Sequence, residues 1–344
     1  MTAIKQSIFS SLLMIYFGGC IEPNTEDLWS ISVEGIMQTE GFARDVVLND
    51  NTAFVAAGQA GIQVWDLYNF SLIIKYENHM VAGSIDPREF EDLSVIDIDP
   101  FNKLLFLNES NQNVGVFSYA QIEDTLIYFN QIMSAGTKDF ISFSIDSNKF
   151  IMYSADNDDG MKWHLYAQGD DGFGHIVYEP FGGDEIYTPG APEGIDSDGK
   201  DYIALAVDQL GVELYSIDSL GADPALVGGV DTEGNAEQVT LGTIGVYAAC
   251  DDAGAYFIHF ETFSGTGNST RFAKDLTVDH IAVNGNVAAL SIGSKGIALY
   301  DVTDPSSPVE RGIFDIGYTY KSQFWGEKLV VCSREGLQIL TIEQ

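Results

Sequence analysis

The chain has 344 residues, of which 16 are Lys or Arg and 51 are Asp or Glu, so its formal net charge at pH 7 is -35. A field of this sign opposes binding to nucleic-acid phosphates, and nucleic acid is excluded as a partner. The acidic residues are interspersed with apolar ones, and 45% of the residues are hydrophobic, which excludes a disordered chain. The length suits either two domains or one large all-β assembly.

The first 20 residues are typical of a bacterial export signal. One lysine precedes an apolar run over 8–17, which is too short to cross a bilayer core of about 30 Å. The run ends in the letters FGGC, which resemble the bacterial lipobox and imply that the Cys20 thiol receives diacylglycerol. We expect a lipoprotein signal peptide at 1–19 and a short tether at 20–27; the alternative is an ordinary signal peptide or an uncleaved anchor.

An internal repeat follows the leader. The segments 46–61, 239–254 and 281–296 align without gaps, and each contains two apolar alternations, an intervening polar turn and a closing glycine. A third strand-like run follows this glycine. The glycine or its equivalent recurs at seven positions, spaced 40 to 52 residues apart: Gly61, Asn113, Gly160, Gly211, Gly254, Gly296 and Gly336. Units of this length made of short strands are typical of propeller blades.

A fourth, outer strand is predicted in most units. The apolar runs that predict it are 72–78, 126–132, 175–181, 225–231 and 309–315. The last unit ends without one, whereas the strand-like segment 28–38 precedes the first unit. A strand from 28–38 would close the ring and remove an exposed sheet edge. The sequence therefore predicts one all-β domain over 28–344, a seven-bladed β-propeller whose final blade is completed by an N-terminal strand.

Two copies of the repeat resemble a known family. The segments GIALYDVTDPSSPVERGIFD (296–315) and ARDVVLNDNTAFVAAGQAGIQVWDL (43–67) are similar to LVIVD repeats, in which an apolar strand ends in aspartate before an Asx-Pro turn. The residues 64–66 are also similar to the ending of a WD repeat, whose Gly-His pair is absent here. The resemblance to the LVIVD family implies an exported bacterial β-propeller, and it implies no particular reaction.

Local motifs give little support for catalysis. Residues 194–201, GIDSDGKD, nearly match a phosphate-binding loop, but Asp201 replaces the hydroxyl that holds magnesium, and a strand-like run follows where the loop needs a helix. This segment is predicted to be a hairpin turn. The five histidines show no zinc spacing, and there is no G-x-S-x-G elbow. No cofactor is expected, and a non-enzymatic role is favoured.

One acidic run could bind calcium, and two cysteines could form a disulfide. Asp156, Asp158 and Asp159 precede Gly160, and carboxylates are calcium ligands, but the spacing does not fit an EF-hand. A turn is favoured, with an irregular calcium site as the alternative. Cys250 and Cys332 lie in apolar runs, where free buried thiols are favoured over a disulfide.

Candidate binding residues are those that lead into the first strand of each unit, because first strands line the central channel of a propeller. The ring that they predict is mostly acidic, and it is either ordinary solvated capping or a funnel for a cation or a polar ligand. Its members are Arg44, Asp45, Asp92, Asp139, Glu193, Glu237, Asp279, His280 and Lys321, with Gln238 and Tyr320 beside them.

The sequence as a whole predicts a monomeric, lipid-anchored protein of the bacterial cell envelope, held at the outer membrane on its periplasmic or external face. We expect it to act as a binding or scaffold module for a protein or for a polar or glycan ligand. The alternative is a propeller enzyme, a hydrolase or lyase that acts on envelope or environmental glycans or peptides.

Overall fold

The computed structural model describes residues 28–344 except 82–83, 85, 110–112, 120–125, 134–135 and 158–159. Within these residues the strands form seven separate sheets. The one helix in the described residues, α1 (Phe260–Phe263), is a single turn. The architecture is a seven-bladed β-propeller, as the repeat predicts, and each sheet is one blade.

The strands follow one another along the chain, blade by blade. The first strand, β1 (Ser30–Met37), belongs to the last blade. Blade 1 contains β2 (Asp45–Asn49), β3 (Thr52–Ala56), β4 (Ile62–Asp66) and β5 (Ser71–Tyr76). Blade 2 has six strands, of which β6 (Asn78–Val81) and β7 (Arg88–Glu89) lie outside β8 (Val95–Asp99), β9 (Leu104–Asn108), β10 (Val114–Ser118) and β11 (Leu126–Met133).

Blades 3 to 5 are four-stranded. Blade 3 has the longest strands, β12 (Thr137–Asp146), β13 (Lys149–Asp156), β14 (Gly160–Asp170) and β15 (Ile176–Ile186). Blade 4 contains β16 (Gly194–Ser197), β17 (Tyr202–Ala206), β18 (Val212–Ser216) and β19 (Ala225–Val230). Blade 5 contains β20 (Gln238–Leu241), β21 (Gly245–Ala249), β22 (Ala255–His259) and β23 (Ser269–Phe272).

The last two blades complete the ring. Blade 6 contains β24 (His280–Asn284), β25 (Val287–Ser291), β26 (Ile297–Asp301) and β27 (Val309–Phe314), and blade 7 contains β28 (Thr319–Trp325), β29 (Lys328–Ser333) and β30 (Gly336–Glu343). The N-terminal β1 pairs antiparallel with β30, so it is the outer strand of blade 7. The innermost strands contact one another around the whole circle, including β28 with β2. The predicted closure by the 28–38 segment is therefore confirmed.

The apolar residues lie between blades. Each of the seven junctions holds one buried cluster, and each cluster combines residues of the two blades that meet there. Phe257 of blade 5 and Leu290 of blade 6, for example, belong to the same cluster. A blade covers both of its faces only when it has a neighbour on each side, so ring closure is a condition of stability.

The repeated glycine has a steric cause. Gly61 and Gly296 have φ of +80° and +88°, a left-handed conformation that favours glycine. A Cβ at either position would overlap the carbonyl oxygen that ends the outer strand of the same blade. At Gly336 that oxygen belongs to Met37 of β1, so the N-terminal strand makes the same contact with the repeated glycine as the outer strands of other blades do. Asn113 of blade 2 is not among the left-handed residues.

Two further expectations agree with the structure. Residues 198–201 form the turn between β16 and β17, in which Asp198 Oδ1 accepts hydrogen bonds from the backbone N–H groups of Lys200, Asp201 and Tyr202. This is the predicted hairpin turn and not a phosphate cradle. Cys250 and Cys332, the cysteines within the described range, are buried free thiols.

Candidate functional site

The residues that lead into the inner strands surround one mouth of the central channel. Two ion pairs join neighbouring blades there: Arg44 Nη2 lies 3.0 Å from Asp92 Oδ2, and Lys138 Nζ lies 3.2 Å from Glu193 Oε2. Each side chain in these pairs is partly exposed, so the pairs contribute little to stability. Among the described residues, the carboxylates of the next two blades, 5 and 6, form no ion pair of this kind at the mouth.

Those carboxylates, Glu237 and Asp279, have raised pKa values. Burial is the larger cause in both cases. The nearby Glu193 adds to the effect at Glu237, and Asp251 raises the pKa of Asp279 further, to about 6. The mouth over blades 4 to 6 is therefore a region of concentrated negative charge.

One level deeper, a lysine lies among carboxylates. Lys321 Nζ forms an ion pair with Asp45 Oδ1 at 2.7 Å, and this contact joins blade 7 to blade 1. Burial opposes the charge on Lys321, but Asp45 and Asp139 raise the pKa of its ammonium above the usual value. The same ammonium and, above all, burial lower the pKa of His280, which is neutral at physiological pH.

Polar side chains on the inner strands also bind the next blade directly. Each accepts a hydrogen bond from a backbone N–H of the following inner strand. The five acceptors and their donors are Asp45 with Ile96 (3.2 Å), Asp97 with Ser142 (2.7 Å), Asp139 with Ile195 (3.2 Å), Asp196 with Leu241 (2.8 Å) and Gln238 with Ile281 (3.3 Å).

These interblade bonds alternate between two depths. In blades 1, 3 and 5 the acceptor pairs with an alanine near the end of the second strand of its own blade; these acceptors are Asp45, Asp139 and Gln238. In blades 2 and 4 the acceptor lies two residues farther along the first strand; these acceptors are Asp97 and Asp196. Alternation separates the carboxylates of adjacent blades, which lowers their mutual repulsion inside the protein.

The deeper pair of carboxylates is strongly perturbed. Burial raises the pKa of Asp97 to about 7 and that of Asp196 to about 6, although each accepts hydrogen bonds that favour the ionised form. These side chains meet water only inside the channel and have protein around them on the other sides. The pKa of Asp97 thus lies near neutral pH.

A cavity of about 390 Å³ lies inside the ring of inner strands. Of the nine predicted residues, Asp139, His280 and Lys321 line it, and the other six lie at or near the mouth. The polar residues at the deeper level, which the sequence prediction did not include, line it as well: Asp97, Asp196, Thr240 and Gln323. Strand alternation is the signal that could have found them, because residues i and i+2 face the same side.

Polar atoms on one side of the cavity have no partner. In the described part of the chain, His280 Nδ1, Ser322 Oγ and Gln323 Oε1 are buried without a hydrogen-bond partner, and all three residues line the cavity. They lie on β24 and β28, at the junction of blades 6 and 7. An unmet buried polar atom is costly, so this wall favours a polar occupant, whether water or a ligand.

Of the three calcium candidates, only Asp156 lies within the described residues. Asp158 and Asp159 lie outside the described residues. Asp156 is buried, and its Oδ2 lies 2.9 Å from Lys162 Nζ. No group of three or more His, Cys, Asp or Glu side chains placed to hold a metal occurs among the residues that the structure describes.

Cys20 also lies outside the described residues, as do the predicted leader and tether. In the part that is described, no helix has the length and apolarity needed to span a membrane.

The chain is thus a seven-bladed β-propeller with a polar central cavity. No family model and no curated protein matches it. It is similar to three solved structures. A computationally designed protein called Ika8 has a TM-score of 0.60 and 13% identity, and the match covers 90% of this chain and 98% of that one. The RRP9 WD40 repeats have a TM-score of 0.66 and 10% identity, with 91% of this chain and 100% of that one covered. U3-55K has a TM-score of 0.64 and 12% identity, with 91% of this chain and 98% of that one covered. At these identities the likeness shows the fold alone.

Proposed function

We propose that this propeller is a binding module whose ligand occupies the central cavity. The observation that carries the proposal is the wall formed by His280, Ser322 and Gln323, whose buried polar atoms have no partner in the described structure. The opposite side carries carboxylates. A ring lined mainly by acceptors favours a compact donor-rich ligand, such as an amine, a polyol or an amino sugar.

The hydrogen bonds of the carboxylates favour binding over catalysis. Asp97 has the raised pKa that a general acid would need. However, its Oδ2 accepts from both the backbone N–H and the hydroxyl of Ser142, and both oxygens of Asp139 and of Asp196 accept backbone N–H groups. These groups hold the blades together, and an acid fixed in this way has little freedom to follow a reacting atom.

We further propose that the protein is an envelope lipoprotein of the kind that the LVIVD resemblance implies. Cys20 would be the lipidated residue, and the propeller would lie close to the membrane through the 20–27 tether. The change Cys20→Ala should release the protein from membranes or block its processing. Unchanged partitioning into detergent, with no loss of a lipid label, would contradict this part of the proposal.

Calorimetric titration tests the binding proposal. The probes are glucosamine, sorbitol and spermidine, which represent the three donor-rich classes. We expect one of them to bind the wild type, and Gln323→Leu to weaken that binding about tenfold, because a lost hydrogen bond to a buried group amounts to about 1.4 kcal/mol. Gln323→Leu removes an atom that has no partner, so the fold should persist.

A matched control is Gln168→Leu, the same substitution on β14 in blade 3 and away from the cavity lining. It should bind like the wild type. If no probe binds, or if both variants lose binding equally, the cavity is not the ligand site.

A further inference from the structure

Exposed apolar side chains gather on the outer rim of the ring where blades 6, 7 and 1 meet. The outer strands of these blades are β27, β1 and β5. We call their exposed apolar surface the apolar rim; it includes Val33, Ile36, Phe70, Leu72, Ile73 and Ile313. Soluble proteins seldom leave a large contiguous surface of this kind without a partner.

Two contacts join the segments that carry the apolar rim. The ring of Phe70, which precedes β5, packs so closely on β1 that a Cβ on Gly35 would lie 2.6 Å from it. Phe70 has φ of +53°, which is uncommon for a bulky residue. On the other side, the backbone N–H of Trp29 donates to the carbonyl oxygen of Arg311 on β27, at 2.9 Å.

Four carboxylates beside the apolar rim contact three cationic side chains, in contrast to the net charge of the whole chain. Lys75 on β5 contacts Glu77 at 2.6 Å and also Glu40. Lys328 contacts Glu34 of β1. Near β27, Arg311 Nη2 lies 2.7 Å from Asp301 Oδ2. Three of the 16 Lys and Arg residues thus offset three of these four carboxylates, which lowers the local repulsion from an anionic surface.

We infer that the apolar rim is the face that lies against the lipid bilayer. The inference rests on the proposed lipidation of Cys20. Seven residues separate Cys20 from Leu28, and the eight residue steps between the two reach at most about 28 Å. Because β1 runs between β27 and β5, a lipid attached at Cys20 keeps this side of the ring near the membrane. An apolar surface with paired charges is suited to contact with the acyl-chain boundary.

A pair of labelled variants tests the inference. Leu72→Cys and Leu226→Cys change the second residue of the outer strand in blades 1 and 4, which lie on opposite sides of the ring. The two leucines are 46% and 58% exposed. Cys250 and Cys332 are buried, so a thiol-reactive fluorophore should label the introduced cysteine. The full lipidated chain is reconstituted into phosphatidylethanolamine–phosphatidylglycerol vesicles with brominated acyl chains.

We expect loss of most of the emission at position 72 and full emission at position 226. Flotation of the protein with the vesicles is measured in the same samples, and equal melting temperatures of the two variants exclude misfolding. Flotation with equal quenching at the two positions would overturn the inference but not the lipid anchor. Failure to float would overturn both. A blue shift at position 72 that grows with protein concentration in the absence of vesicles would assign the rim to a second copy of the chain.

Discussion

Among the contacts in the channel, the ion pair between Lys321 and Asp45 is the one whose removal should lower the stability of the protein most. Lys321→Met keeps much of the side-chain volume and removes the ammonium. Asp45 is then left with a side chain that is 3% exposed and without its cationic partner. It still accepts the backbone N–H groups of Val46 and Ile96, so the carboxylate cannot turn toward solvent without breaking those bonds.

The expected loss in the free energy of unfolding follows from the burial of this ion pair. Breaking a buried pair by removing one partner usually costs about 3–5 kcal/mol. The side chain of Lys321 is 31% exposed to the channel, and water there weakens the interaction, so we expect the lower end, about 3 kcal/mol. Loss of the ammonium also leaves Asp139 without the charge that lowers its pKa.

Urea denaturation followed by tryptophan fluorescence measures this change. The double variant Lys321→Met with Asp45→Asn should recover part of the stability, since the buried charge at position 45 is gone and the asparagine oxygen still accepts from Ile96. The bond from the Val46 N–H is lost, and Asp139 stays without the Lys321 charge. Lys295→Met, at an exposed position, should change the stability by no more than about 0.5 kcal/mol. A loss below about 1 kcal/mol for Lys321→Met, or no recovery in the double variant, would refute the reasoning.

Three further predictions concern the blades. Gly296→Ala should unfold at clearly lower temperature than Gly285→Ala, because both residues are left-handed but only the Cβ at 296 would strike a backbone oxygen; equal melting points would contradict the steric account. Asp301→Ala should cost about 1–2 kcal/mol, since the arginine beside Asp301 and its bonds to Thr303 lower its pKa to about 2; no change in urea midpoint would contradict this. For Asp97→Asn, the folded pKa of about 7 lies above the unfolded value, so the wild type should lose stability relative to the variant as pH rises from about 4 to about 7. Melting curves across that range should show the difference widening, and a constant difference would contradict the assignment.

Much of the fold could be predicted because the repeat is dictated by local stereochemistry. A left-handed glycine precedes the third strand in every blade except blade 2, where Asn113 stands in its place. Its recurrence at positions such as Gly211 and Gly254 predicts the number of blades. The N-terminal strand could be assigned because the last unit ended without an outer strand. Only a segment that is distant in the sequence can provide the missing strand.

Irregular insertions explain the elements that were not predicted. In blade 5, the short α1 and a run of Gly, Ser and Thr separate β22 from β23, so the outer strand lacks the usual spacing. In blade 2, β6 pairs parallel with β11, and a pairing between residues 47 positions apart, such as His79 and Leu126, leaves no local pattern.

The predicted ring lies at one end of the inner strands, whereas most of the polar residues that line the cavity lie one level deeper. Charged residues that lead into a strand are easy to recognise, whereas Asp97 and Asp196 lie within apolar alternations and resemble ordinary strand residues. Their role follows from the N–H groups of the next blade, which are distant in sequence. The unpartnered atoms of Ser322 and Gln323 likewise become visible only when neighbouring blades are in place.

Native mass spectrometry of the protein purified from the cells in which it occurs tests the proposed binding role most directly. We predict a population that carries one additional small, donor-rich molecule, and loss of that mass in Gln323→Leu but not in Gln168→Leu. A single bare mass for the wild type under the same gentle conditions, or an adduct that both variants retain, would contradict the proposal that the central cavity binds a ligand.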